Sequence, residues 1–256
     1  MHQLSAIELL DRLVSFNTVS SNSNLDLIAF VRDYLATWGV ASETIPDGTG
    51  RKANLVATIG PADRSGFVLS GHTDVVPVEG QDWTRDPFKM SREAGKLYGR
   101  GTTDMKGFVA CVLARVPQML DEPLQIPLHV VLSYDEEVGC LGVHSIVGHV
   151  AQAMAKPLAA FVGEPTAMGV VNGHKGSTGL LTAVSGRSCH SSRPDLGVNA
   201  IFHAADCIAE LRRYAQEMAA QPDPESPFEV PYTSLSVGVV SGGTARNSIP
   251  GDCAFQ

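Results

Sequence analysis

Residues 67–74 read FVLSGHTD, an apolar run that ends in Gly71, His72, Thr73 and Asp74. Apolar residues that give way abruptly to polar ones are the pattern of a buried strand and its carboxyl end. In open α/β sheets, ligands bind just outside those ends. His72 offers a neutral imidazole to a metal. Asp74, two residues on, is placed to receive the other ring N–H and so fix the tautomer. A lone His-x-Asp also has an ordinary structural reading, so the question is whether other strands end in the same way.

They do. Residues 127–134, PLHVVLSY, are a second apolar run, followed by Asp135, Glu136 and Glu137. Leu158–Val162 is a third, followed by Gly163, Glu164 and Pro165. Between the first two lies GRGTTDMKG (99–107), which opens a helix expected to reach about Leu120. Its glycine spacing fits neither a dinucleotide-binding turn nor a P-loop, so the glycines are read as letting the backbone bring Asp104 close to another group. A further helix is expected over Leu141–Ala153. Strands alternating with helices predict an α/β fold with a mostly parallel sheet flanked by helices, and parallel strands put these ends on one edge. Each acid alone is an ordinary loop residue. Five acids and a histidine after apolar strands or glycine turns are another matter, because clustered carboxylates repel unless a cation neutralises them. The set reads as a metal site.

Before this block, MHQLSAIELLDRLVSF predicts an amphipathic helix with Leu4, Ile7, Leu10, Leu13 and Val14 on its apolar side. A second helix is expected over Leu25–Trp38, closed by Gly39 in the usual position beyond a helix end. Val40–Ile45 and Asn54–Ile59 are short strands around the turn DGTGRK. Residues 75–98 read as a long connection of the kind that lines sites.

From about residue 170 the pattern changes, and a second α+β unit with an antiparallel sheet is expected over 171–256, after a metal-binding domain over 1–170. Its features are loose alternation over Gly176–Val184, the polar stretch 189–194 and a helix over Val198–Met218. That helix should turn Ile201, Ala205, Ile208, Leu211 and Tyr214 to one side. A Pro/acid-rich loop (221–231), alternating Leu235, Val237 and Val239, the turn GGTARNSIPG and a last strand from Asp252 complete it.

The chain has 256 residues, 44% hydrophobic and 18% charged, with a formal net charge of -8 and no Lys/Arg cluster, which argues against a nucleic-acid surface. Five scattered cysteines without a CxxC pair read as reduced thiols. The first helix lacks the basic start and apolar centre of a signal peptide, and no uncharged run approaches the roughly 18 residues of a membrane span. These features predict a soluble cytoplasmic protein without a membrane partner.

SGHTDVVP (70–77), GRGTTDMKGF (99–108), SYDEEVGCLG (133–142), VGEPT (162–166), CHSSRPDLGVNAI (189–201) and GGTARNSIPGDC (242–253) together resemble the zinc-dependent aminoacylase and carboxypeptidase G2-like metallopeptidase family, in its order and over nearly the whole chain. The resemblance implies two Zn(2+) per active site, with Co(2+) as an alternative. His72, Asp104 and Glu164 would hold one ion, and Asp104 would bridge to a second held also by Glu137. Asp74 would orient His72, and Glu136 would be the general base. The second unit would be an inserted lid and dimerisation domain of a homodimer. It would supply His190, reaching across the dimer, to steady the oxyanion, and Asn247 with Arg246 to hold the substrate carboxylate. The implied reaction is hydrolysis of the N-acetyl amide of N-acetyl-L-ornithine, a step of arginine biosynthesis, with desuccinylation of succinyl-diaminopimelate or dipeptide cleavage as alternatives. The family's catalytic domain resumes after the lid and adds a last histidine ligand. The sequence ends at Gln256, within an expected lid strand, so both domains are expected to be incomplete at the C-terminus. A non-catalytic metal-binding and dimerisation remnant therefore stands beside the enzyme reading.

Overall fold

A computed structural model describes residues 3–256, which form two compact units, one running to Gly169 and one over Val170–Gln256. In the first unit the elements are α1 (Ala6–Ser15), α2 (Leu25–Thr37), β1 (Ser42–Pro46), β2 (Ala53–Ile59), β3 (Phe67–His72), β4 (Ser91–Glu93), β5 (Lys96–Tyr98), α3 (Lys106–Asp121), β6 (Leu128–Ser133), α4 (Val143–Ala153) and β7 (Ala159–Val162). Five strands make one sheet in the order β1-β2-β6-β3-β7. β6, β3 and β7 pair parallel, whereas β2 runs antiparallel to both β1 and β6. Four strands therefore share a direction, as expected of an α/β sheet, and β2 alone is reversed because a short turn joins it to β1. Such a turn can only connect antiparallel neighbours.

Side-chain alternation along the strands builds two hydrophobic layers. Leu55, Ala57 and Ile59 of β2 and Val130 and Leu132 of β6 pack with Leu9, Leu13, Leu35, Val109 and Leu113 of α1, α2 and α3. The intervening Val56 and Val131 point the other way, with Val68, onto Ile146 of α4. α1 begins at Ser5, whose hydroxyl accepts from the Glu8 N–H while Glu8 returns to the Ser5 N–H, a capping box. Its buried face is Leu9, Leu10, Leu13 and Val14. The sequence reading is corrected at Ile7, which is exposed, and at Leu9, which replaces it.

The connection 75–98 is not wholly irregular. It contains the hairpin β4–β5, closed at Ala94 and Gly95 with φ of 48° and 76°. Its sequence signal is weak, since only Gly95 of the turn pair suits a positive φ and Ser91–Glu93 has no β-branched or aromatic residue.

The second unit contains β8 (Thr182–Ser185), β9 (Cys189–His190), α5 (Ala200–Ala219), β10 (Val240–Gly242), β11 (Ser248–Ile249) and β12 (Asp252–Phe255). An antiparallel sheet β10-β12-β8 and a ribbon β11-β9 carry it. Asn199 caps α5 by accepting from the N–H groups of Ile201 and Phe202. The helix lays Ala200, Ala204, Ile208 and Leu211 against Cys253 and Phe255. This corrects the expected stripe in part: Ile208 and Leu211 do face the sheet, but Ile201, Ala205 and Tyr214 are exposed, and Ala200 and Ala204 take the most buried positions. The strand expected over 235–239 is also displaced. The ladder begins only at Val240, although Val237 still reaches the core. Among the described residues no helix is long and apolar enough to cross a membrane.

Leu113 is fully buried between α3 and the sheet. Leu113→Ala is expected to lower unfolding free energy by about 2–5 kcal/mol, because the cavity it leaves cannot fully collapse. Urea denaturation followed by circular dichroism would measure this, and a loss under about 1 kcal/mol would show that the first layer repacks freely.

Candidate metal centre

The parallel register brings the strand ends together. His72 pairs with Ser133 across β3–β6, and Ser70 with Val162 across β3–β7. The residues that follow, Asp135–Glu137 and Gly163–Glu164, therefore emerge beside His72. Gly163 is needed there: a Cβ would lie 2.0 Å from the Phe108 ring, so only glycine lets the end of β7 pass α3. Asp104 arrives from the glycine turn before α3, where Gly101 has φ of +83°, a conformation costly for other residues.

His72 is buried, at 2% exposure. Its Nδ1 lies 2.9 Å from the main-chain carbonyl of Asp74. A carbonyl only accepts, so Nδ1 carries the proton and Nε2 faces the acids. Nε2 is 3.0 Å from Asp104 Oδ1, and 3.9 Å from both Glu136 Oε2 and Glu164 Oε1. Ligand atoms of His72, Asp104 and Glu164 all lie within 4.8 Å of one another. One imidazole nitrogen and two carboxylate oxygens at that spacing are the donor set of a divalent ion such as zinc, and the residues present fit one. Glu137 lies outside this trio; with Asp104, Gly99, Arg100 and Thr102 it lines an adjoining cavity of about 230 Å³.

Asp74 does more than the sequence suggested. Its carboxylate is 3.5 Å from His72 Nδ1, farther than its own carbonyl. Oδ1 accepts from the Glu136 N–H at 3.1 Å, and Oδ2 from the Glu137 N–H at 3.3 Å and the Ser20 hydroxyl at 2.7 Å. Asp74 thus holds the turn that bears both glutamates. Burial would raise its carboxyl, but the nearby His72 imidazole and the bonds from Ser20 and Glu136 prevail and keep it below the usual carboxylate range.

Burial lifts the carboxyls of Glu137 and Glu164 above their ordinary values. The nearby Asp104 charge lifts them further. Burial alone would depress His72, but Asp74, Asp104 and Glu164 outweigh it and raise the imidazole to about 9. Nothing in the sequence flagged Lys106, which is buried beneath the site and donates to the Phe16 carbonyl at 2.8 Å. Burial pushes its ammonium down to about 7, against the pull of Asp74. Ser20 and Lys52 were missed as well, since each is an unremarkable loop residue in one dimension.

The remaining expected site residues belong to the second unit. His190, on β9, pairs with Ser248. Its Nδ1 receives the Ser192 N–H at 3.2 Å, which leaves the ring proton on Nε2 as a donor. Arg246 and Asn247 are exposed in the turn before β11, and the Asn247 carbonyl accepts from the Ser191 N–H at 2.9 Å.

Residues 68–236 match the family described as Peptidase family M20/M25/M40. The chain belongs to that family. It is 36% identical over 259 residues to acetylornithine deacetylase of Pasteurella multocida, and 36% identical over 258 residues to the enzyme of the same name from Shigella sonnei. Both alignments take in 98% of this chain but 66% of the relative, so the chain spans just under two thirds of their length. Among solved structures, an M20 family metallo-carboxypeptidase from Sulfolobus solfataricus superposes with a TM-score of 0.72 at 16% identity, covering 100% of this chain and 70% of that one. A di-peptidase from Saccharomyces cerevisiae superposes with a TM-score of 0.67 at 18% identity, covering 98% and 68%. At these identities the likeness is one of M20 fold.

A protonated imidazole cannot ligate a metal, and below about pH 9 the metal-free His72 holds its second proton. Loading the metal-free protein with Zn(2+) at pH 7.5 should therefore release a proton, and affinity should rise up to about tenfold per pH unit until pH 9. Calorimetry in two buffers of different ionisation enthalpy reads the proton directly. Metal uptake without proton release would remove His72 from the ligand set.

Proposed function

We propose that this M20 chain takes part in metal-dependent hydrolysis of the amide of N-acylated amino acids, with N-acetyl-L-ornithine as substrate and ornithine and acetate as products, as in arginine biosynthesis. The observation that carries the reading is the cluster of His72, Asp104 and Glu164 with Glu136 beside the same imidazole nitrogen. The likeness in sequence to two acetylornithine deacetylases supports the choice of substrate.

The residues present would hold one divalent ion through His72, Asp104 and Glu164, with Asp104 and Glu137 offering carboxylates to a second. Zinc is the first choice of metal, and cobalt the alternative. When bound, the metal supplies Lewis acidity, which polarises the amide carbonyl and makes water a better nucleophile at neutral pH. Glu136 takes a proton from the attacking water at a carboxylate oxygen and passes it to the nitrogen of the leaving amine, so that water and amide become acid and amine without net change of charge on the enzyme. Asp74 keeps Glu136 in reach by holding its N–H. His190 offers Nε2–H to the developing oxyanion, and Arg246 and Asn247 offer donors to the α-carboxylate. The exposed Phe202 and Tyr214 of α5 support a homodimer through the second unit. The five free thiols suit a cytoplasmic setting.

Glu136→Gln keeps the shape of the side chain and removes the base. Its kcat on N-acetyl-L-ornithine should fall roughly 10²–10⁴-fold with metal content unchanged, which assay and atomic absorption would establish together. A normal kcat would mean another group moves the proton. A kcat/KM on succinyl-diaminopimelate above that on acetyl-ornithine would reassign the substrate.

A further inference from the structure

Lys52 closes the turn between β1 and β2, and its ammonium makes contacts far along the chain. Nζ donates to the Ser20 carbonyl at 2.5 Å and to both carboxylate oxygens of Asp135, at 2.5 and 2.6 Å. Both partners are largely withdrawn from water, their side chains 15% and 12% exposed, so this is not the exposed type of ion pair that contributes little. Each end of the contact leads to Asp74. Ser20 gives its hydroxyl to Asp74 Oδ2, and Asp135 immediately precedes Glu136 and Glu137, whose N–H groups bond to the same carboxylate. Asp135 has φ of +55°, a conformation that non-glycine residues hold when their surroundings fix it. A closed ring runs from Lys52 through Asp135, the main chain of Glu136 and Glu137, Asp74 and Ser20, and back to Lys52.

We propose that Lys52 is a positioning residue: its grip on Asp135 and Ser20 fixes the turn that presents Glu136 and Glu137 to the metal centre. The proposal rests on the reading of Glu136 as base and Glu137 as ligand. Lys52 touches neither glutamate carboxylate. It acts by pinning the residue before them in its left-handed conformation and by holding the loop that supplies one of the donors to Asp74.

The test compares Lys52→Met with the double variant Lys52→Met/Asp135→Asn in the full-length protein. The single variant leaves a buried aspartate unpaired and can lose stability for that reason alone. The double variant removes both charges, and asparagine tolerates the left-handed conformation. Thermal melting, kcat and KM for N-acetyl-L-ornithine, and the visible absorption bands of the Co(2+)-loaded protein are read for each. The double variant is expected to melt within a few degrees of the parent, to lose about 10–100-fold in kcat with KM within about twofold, and to show altered cobalt bands. A purely structural Lys52 predicts the opposite: once both charges are gone, turnover and spectrum return to those of the parent, and that result would overturn the proposal. The underlying reading is judged separately. A fully active Glu136→Gln sinks the base assignment and leaves the cobalt spectrum to decide on Lys52. An inactive Glu136→Gln beside parental kcat and bands in the double variant sinks the role of Lys52 alone.

Discussion

The Asp74 carboxylate is the constraint from which the rest of the site follows. It is 2% exposed, and a buried charge of this kind survives only if its oxygens are well supplied with donors. Three donors come from two places in the chain: the Ser20 hydroxyl in the loop after α1, and the consecutive N–H groups of Glu136 and Glu137 after β6. Removing any of them would leave the carboxylate short of partners in a dry setting. The loop, the end of β3 and the turn after β6 are therefore tied into one arrangement. The Asp74 main chain does a second task in the same place, since its carbonyl sets the tautomer of His72.

Around that anchor the site is short of positive charge. Asp104, Glu136 and Glu164 lie within 3.9 Å of one imidazole nitrogen, and, against its burial, the charges of Asp74, Asp104 and Glu164 raise the metal-free imidazole to about 9. Three cations near it are engaged elsewhere. The Arg100 guanidinium, which lines the cavity beside Glu137, bonds to Gln81 and lies over the Trp83 ring. Lys106 is turned away to the Phe16 carbonyl, and burial draws its ammonium down to about 7; Lys52 is consumed by Asp135 and Ser20. A divalent ion would relieve both the repulsion and the desolvation, which is why the donor set fits one.

Much of this was legible in one dimension, for a definite reason. Apolar runs that stop just before or at His72, Glu136 and Glu164 mark strands, and their alternation with helices specifies parallel pairing. Parallel pairing puts their ends on a common edge, even though β7 itself is exposed. What could not be read depends on three-dimensional neighbours. That β2 also pairs antiparallel with β6, far along the chain, is set by the assembled sheet and not by the turn beside it. α5 buries Ala200 and Ala204 ahead of Ile201 and Tyr214, because which side of the helix meets β12 and β8 is set by the fit there, where Ile208 and Leu211 join the two alanines. Ser20, Lys52 and Lys106 look like ordinary loop and helix residues until contacts separated by 32 to 90 positions are formed.

The turn after β6 also bears on how two adjacent glutamates could take different roles. Both main-chain N–H groups are committed to Asp74, so the backbone lies against that carboxylate and the side chains leave it in different directions. Glu136 reaches to 3.9 Å from His72 Nε2, while Glu137 faces the cavity beside Asp104 and the glycine turn. Burial and the charge of Asp104 make Glu137 a costly place to leave a bare carboxylate, which suits a group that would share a cation. Glu136, 38% exposed at its side chain, keeps access to water, as the proposed base would need. The division of labour proposed for the pair thus needs no difference in residue type, only a fixed turn. That places the demand for precision on the residues that hold the turn, Asp74 first and Asp135 with Lys52 behind it.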